Sequence, residues 1–310
     1  MRDRSYWKQH YVIETNAEEI ERSIRLTQFR SEDKTFELIY FEKGKGALNI
    51  LISQGSGGHA YIFAELAYLM HLRGYNVFIM PKHGGQTINK LVVRHADALA
   101  YISNTFSDNI AVFAEGLGCY AVFYLALAGG VMKSMACLNG PAILTEDKFH
   151  KAILEGDDAV TKRRRRLLPF IRLLGKLFPW ITLPVYTYLD FPEMVDIEEE
   201  ENRRIEEPIV HSFNMDPDFD MRYPLSAIMS IVSTPPPRDL SVLGTPTMFL
   251  VPVRGFFPSY FKDLYDRLPR IKKRLVEIDG GVFWMLSHPN QAAKIICDWF
   301  DESLYINELT

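Results

Sequence analysis

The sequence predicts an α/β protein: a mostly parallel central sheet with helices on both faces and an inserted, mainly helical segment. Three observations predict it. Between residues 47 and 138, short apolar runs alternate with helical stretches and are joined by glycine-rich loops, the pattern of a parallel sheet built from crossover units. The runs are continuously apolar instead of alternating, as strands covered on both faces require. The rhythm stops near residue 142 and resumes at Thr247, which marks an insertion.

Taken in order, Ser23 to Phe29 and Phe36 to Phe41 alternate well enough for two strands, with S-E-D-K between them as a hairpin turn. They form an antiparallel edge. Ala47 to Ser53 is a buried strand that runs into Gln54-Gly55-Ser56-Gly57-Gly58-His59. A helix from Ala60 to Arg73 follows, stopped by Gly74. Asn76 to Met80 is the next strand, followed by a glycine loop and a helix from about Ile88 to Phe106. Ile110 to Ala114 is a strand, then comes a turn with Gly116 and Gly118, and then a helix from Tyr120 to Ala128. Ser134 to Leu138 is another strand. After the break come a strand at Thr247 to Val251, a helix at Ser259 to Leu268, a strand at Arg274 to Ile278 and a helix from about Gln291 to Leu304. Pro235-Pro236-Pro237 punctuates the return. The predicted core is therefore 1–144 with 236–310, and 145–235 is a cap.

Composition sets limits on function. The chain has 310 residues, 47% hydrophobic and 24% charged, with a net charge of -4; these are globular values and give no reason to expect nucleic acid. Cys119, Cys137 and Cys297 have no metal-ligand spacing, and no histidine–carboxylate motif of metal-binding type is found, so no metal or cofactor is expected. An odd number of cysteines predicts reduced thiols and a cytoplasmic protein. The polar first ten residues lack the apolar core of a signal peptide, and no stretch reaches 18 uninterrupted apolar residues.

Gly55-Ser56-Gly57-Gly58-His59-Ala60 fits the G-x-G-x-x-A dinucleotide fingerprint, after a strand and before a helix. About 45 residues precede it, and the next strand ends without the acid that would hold a ribose. The other readings are a structural tight turn and an oxyanion loop, whose backbone N–H groups face developing negative charge.

Several stretches together resemble the α/β-hydrolase superfamily, more narrowly its lidded monoglyceride-lipase and serine-aminopeptidase-like branch. Gln54 to Gly58 resembles the H-G-x-x-G oxyanion loop. Pro81 to Thr87 resembles the glycine loop after the next strand. Ala114-Glu115-Gly116-Leu117-Gly118 resembles the G-x-S-x-G nucleophile elbow. Thr245 to Val251 with Phe257-Pro258 resembles the segment that carries the catalytic acid, and Asp279 to Pro289 the one that carries the histidine. The resemblance covers about 35–145 and 235–305. It implies a Ser-acid-His triad, in which a histidine takes the proton of the serine and an acid orients the histidine. The nucleophile would fall at Gly116, the acid at Gly255 and the histidine at Val282. None of these side chains performs its role. Natural loss of the triad is favoured over deliberate inactivation, which needs only one change.

Replacement chemistry has few candidates. Cys119 is read as a buried structural thiol before a nucleophile. Glu115 lines the pocket or makes a structural hydrogen bond, with general acid/base chemistry the lesser reading. His59 is read as capping or pocket lining, and His83 as a loop hydrogen-bonder. His288 stands too far along the chain to replace Val282. Asp279 tethers its own glycine turn. Gly55, Ser56, Leu117, Glu115 and His59 are the expected oxyanion-loop and pocket residues.

In the cap, Lys162 to Lys176 mixes apolar residues with seven lysines and arginines, and Phe178-Pro179-Trp180 follows. It reads as a lid helix with its apolar face on the pocket, balanced by the acidic run 196–201; the second reading is peripheral contact with a membrane surface. The expected function is a non-hydrolytic, catalytically degenerate protein binding a small apolar or acyl-type ligand under the cap. The alternative is a carboxylester or lipid hydrolase, either inactivated or with non-standard groups. A third reading is a partner-binding protein using the cap surface.

Overall fold

A computed structural model describes residues 5–155, 159–187 and 200–305. Two short helices open the chain, α1 (Tyr6–His10) and α2 (Ala17–Ser23), and lead into β1 (Arg25–Ser31) and β2 (Lys34–Phe41). Ser23 thus ends a helix and does not begin the first strand as the alternation predicts. The reason is local: the Asn16 side chain accepts the Glu18 N–H, Glu18 and Glu19 fill the first turn, and Ile20 is buried.

The core then runs β3 (Asn49–Ser53), α3 (Ala64–Leu72), β4 (Asn76–Ile79), α4 (Ile88–Thr105), β5 (Ile110–Glu115), α5 (Leu117–Ala128) and β6 (Ser134–Leu138). The first turn after the oxyanion-like loop, Ala60–Phe63, is a tighter 3-10 turn ahead of α3. The inserted stretch carries α6 (Asp147–Leu154), α7 (Ala159–Leu177), a strand β7 (Thr182–Pro184), α8 (Glu200–Met215), a strand β8 (Arg222–Pro224) and α9 (Leu225–Ser233). β9 (Thr247–Pro252), α10 (Pro258–Arg267), β10 (Lys273–Ile278), α11 (Trp284–Ser287) and α12 (Pro289–Tyr305) complete the chain.

Eight strands form one sheet in the order β1-β2-β4-β3-β5-β6-β9-β10. β1 and β2 pair antiparallel, β2 joins β4 antiparallel, and the remaining neighbours are parallel. The apolar runs divide between the two faces residue by residue. Ile50, Ile52, Phe113, Leu138 and Leu250 face one buried layer with Leu66 and Met70 of α3 and Trp299 of α12. Leu51, Val112, Ala114, Cys137 and Phe249 face the other, with Leu91 of α4, Val122 of α5 and Leu264 of α10. That two-sided burial is why the strands carry no polar alternation.

The inserted stretch is fastened where it leaves and returns. The Tyr124 hydroxyl, on α5, donates to Thr234 O and accepts the Leu144 N–H, both at 3.0 Å. Its short ribbon pairs β7 with β8. The acidic run 196–201 predicted to balance the basic helix lies outside the described residues, apart from the start of the α8 backbone.

Candidate functional site

The turn between β5 and α5 is sharp. Gly116 sits at φ 50°, ψ −116°, a conformation that side chains rarely adopt. Its N–H donates to Leu138 O at 2.9 Å, locking the turn to the next strand. A Cβ built on Gly116 would meet only Gly55 Cα, at 3.5 Å, so the position has room for a small side chain. Gly118 has none: a Cβ there would lie 2.6 Å from Ser53 O and 2.8 Å from Gln54 O. That close approach lets α5 lie directly on the end of β3.

A cavity of about 220 Å³ opens above this turn. Gly55, Ser56, Glu115, Gly116 and Leu117 form its floor; Phe149, Ile171, Phe213 and Phe219 of the inserted stretch, with Phe257 and Phe283, form walls. Glu115 is the acidic side chain of this lining. Burial pushes its carboxyl up to about 7, against the opposing pull of hydrogen bonds from the Gly55 N–H and the Asn139 side chain. A Cβ on Gly55 would overlap the Glu115 carboxyl, so this glycine makes room for the acid.

Asn139 follows β6 and holds a left-handed φ of 55°. Its Nδ2 donates to Val282 O at 3.0 Å. Its Oδ1 is buried without a hydrogen-bond partner, and a Cβ on Gly255 would come within 3.0 Å of it. Asn139 therefore touches Glu115, Val282 and the Gly255 turn at once. The sequence reading missed it, because β6 ends in an unremarkable L-N-G-P and nothing local reports the convergence.

Of the expected triad positions, Gly116 lines the cavity. Gly255 and Val282 lie behind its wall, where Phe256, Phe257 and Phe283 face inward. Val282 is buried. Asp279 does not tether its own turn: it pairs with Arg254 at 2.9 Å, joining the loops after β9 and β10, because both loops leave the same end of adjacent parallel strands.

His59 stands at the N-cap position of the Ala60–Phe63 turn, but its side chain makes no cap bond there and does not line the cavity. Its Nε2–H donates to Asp216 Oδ2 at 2.7 Å, and that oxygen also accepts the Tyr11 hydroxyl at 2.8 Å. The ring is thereby drawn away from the floor and binds the start of the chain to the end of α8. Asp216 resists burial, but the bonds from His59 and Tyr11 hold its pKa below the usual value.

Beneath the loop lies a buried histidine pair. His95 Nδ1 faces Leu91 O at 2.6 Å; a carbonyl only accepts, so this nitrogen carries the proton and Nε2 accepts from Ser53 Oγ at 2.6 Å. His83 Nε2 donates to Gln54 O at 2.5 Å. Burial depresses His83 to about 3 and His95 to about 4, each further lowered by neighbouring positive charge. None of Ser53, His83 and His95 lines the cavity; the pair props the loop. Gln54, in place of the resembling loop's histidine, donates from Nε2 to Met80 O at 2.9 Å.

Gly57 is closed over. Its N–H donates to the Tyr223 hydroxyl at 2.5 Å, its carbonyl accepts the Asp220 N–H, and a Cβ would strike the Phe219 ring. A pyrophosphate has no space against this glycine, which disfavours the dinucleotide reading. Cys119 is buried, with Sγ 3.2 Å from Leu138 O, and burial pushes its thiol well up, the opposite of an activated nucleophile. Among the described residues no cluster of metal-ligating side chains is found, and no helix is long and apolar enough to cross a membrane.

Solved structures identify the architecture. A lipase in its open form superposes with a TM-score of 0.67 at 13% identity, over 90% of this chain and 99% of its own. DcsB, in a complex with its substrate analogue, gives 0.65 at 14%, over 91% and 100%. The Paleococcus ferrophilus monoacylglycerol lipase gives 0.61 at 14%, over 90% and 99%. No protein-family model matches the sequence, and no curated protein does. The chain has the α/β-hydrolase fold.

Proposed function

We propose that this is a non-hydrolytic α/β-hydrolase-fold protein that holds a small apolar or acyl-type ligand beneath its cap. The observation that carries the reading is the contrast at one point: a sharp elbow at Gly116, kept without a nucleophile, on the floor of a cavity walled by aromatic and aliphatic side chains. An acyl transfer of the serine type needs a nucleophile, a base and an orienting acid, and Gly116, Gly255 and Val282 supply none. The polar floor still suits an acyl head. The first N–H groups of α5 lack helical acceptors and suit a carbonyl oxygen. Glu115, held near 7, exchanges its proton near neutrality and so either donates or accepts.

The raised carboxyl also supports a second reading, hydrolysis by Glu115 acting as general base on a water molecule. Two measurements separate them. Solvent extraction and mass spectrometry of the purified protein should recover an apolar or acyl compound. p-Nitrophenyl esters of short and medium chain should give no turnover with the native chain. The triple variant Gly116→Ser/Gly255→Asp/Val282→His should gain turnover if only the side chains are missing. Turnover by the native chain that survives repurification and disappears in Glu115→Gln would overturn the first reading in favour of the second.

A further inference from the structure

We propose that the outer side of α7 and the stretch that follows it form a docking surface for an anionic lipid bilayer. α7 carries two apolar stripes. One, Leu167, Leu168 and Ile171, lines the cavity. The other points away from it: Phe170 is 65% exposed, Leu173 and Leu177 57%, and Leu174 is exposed beside them. These four positions, spaced i, i+3, i+4, i+7, share one helical face. Phe178, Trp180 (70% exposed), Ile181 and Tyr186 extend the apolar surface beyond the helix end. A lid helix closed only on its pocket would show one apolar stripe, not two.

Charge selects the occupant. Residues 159 to 187 contain seven lysines and arginines and no acidic residue, in a chain whose net charge is -4. Lys162, Arg163, Arg165, Arg166, Arg172 and Lys176 are exposed. A second copy seated symmetrically on this surface would set the cationic helix against itself. A bilayer carrying acidic headgroups satisfies both components: the apolar side chains enter the headgroup boundary while the basic ones meet phosphate and carboxylate. Trp180 and Tyr186 have the amphipathic rings that settle at such a boundary. The inference is independent of what the cavity holds. If the cavity takes an acyl compound, the same helix separates it from the lipid.

The test uses the full chain with vesicles of phosphatidylcholine alone and vesicles containing about 30% phosphatidylserine. Co-sedimentation should occur with the acidic vesicles and weaken at high salt. Trp7, Trp284 and Trp299 are buried, so a blue shift of tryptophan emission on binding reports Trp180. Phe170→Ser/Leu173→Ser/Trp180→Ser should lower partitioning by at least about tenfold, and each of Arg166→Gln and Arg172→Gln by about fivefold. These side chains are exposed, and an unchanged circular dichroism spectrum confirms that the variants fold. Failure to bind acidic vesicles, or equal binding to both kinds, would overturn the proposal. So would a concentration-dependent dimer abolished by the triple variant, which would assign the surface to a second copy. Neither outcome bears on the extraction or turnover measurements.

Discussion

Replacing Glu115 with glutamine removes a buried titratable group while keeping its shape and its ability to accept from Gly55 N–H. The carboxyl ordinarily loses its proton near 4.5, and in the folded chain near 7. Below 4.5 both states are protonated and the group contributes nothing to pH dependence. Between 4.5 and 7 the folded state keeps a proton that the unfolded state has released, so stability falls as pH rises. Above 7 the full cost of burying the charge remains. At 1.36 kcal/mol per pH unit that cost is about 3 kcal/mol, or about 5 °C in Tm for a chain of this size. Urea melts of both proteins from pH 4 to 8.5 should coincide at the acid end. The variant should then pull ahead through the window and level off above pH 7. A constant offset, or a variant less stable at pH 8 than at pH 4.5 relative to native, would refute the placement of this carboxyl in a dry site.

The His83 and His95 pair works in the opposite direction. Their folded pKa values lie below the ordinary 6.5, so the unfolded chain binds more protons as pH falls from 6.5 towards 4. By pH 5 each histidine should cost about 2 kcal/mol of stability, and His83→Gln/His95→Gln should flatten this limb of the urea titration. Gly118→Ala should destabilise by about 2 to 3 kcal/mol, read as a lowered Tm, since the new methyl meets backbone oxygens at 2.6 and 2.8 Å that cannot step aside. Asp216→Asn should cost about 1 to 3 kcal/mol through its bonds to His59 and Tyr11, and limited proteolysis should then cut sooner at the end of α8. Tyr223→Phe should lose about 1 kcal/mol by leaving the Gly57 N–H without its acceptor; an unchanged melting curve would mean that the loop does not depend on that bond.

The sheet was legible because each buried strand announces itself locally. Ile110 to Ala114 is apolar at every position, and two glycines follow within four residues, which only a sharp turn against a helix explains. The resemblance then placed Gly116 at the tip of that turn. What escaped was long-range. Asp216 meets His59 across 157 positions, and Arg254 meets Asp279 between two loops; neither pairing has a local signature. Asn139 gains its place from a left-handed backbone that an asparagine tolerates, a property that spacing does not reveal. The basic helix was legible as amphipathic, but periodicity could not show that its apolar residues form two stripes. Alternation over seven residues predicts a strand from Ser23, yet Ser23 ends a helix that the Asn16 cap begins upstream.

The pairing of β6 with β9 has a further consequence. Met135 sits beside Thr247, so the chain wanders through more than a hundred residues between two neighbouring strands. Closing such an excursion costs about 4 kcal/mol of chain entropy, yet doubling its length would add only about 0.6 kcal/mol. In chain entropy the segment that walls the cavity can therefore lengthen at little cost, provided its anchors, such as Tyr223 on Gly57 and Asp216 on His59, are kept. Insertions placed between those anchors would reshape the cavity wall at little entropic cost to the sheet.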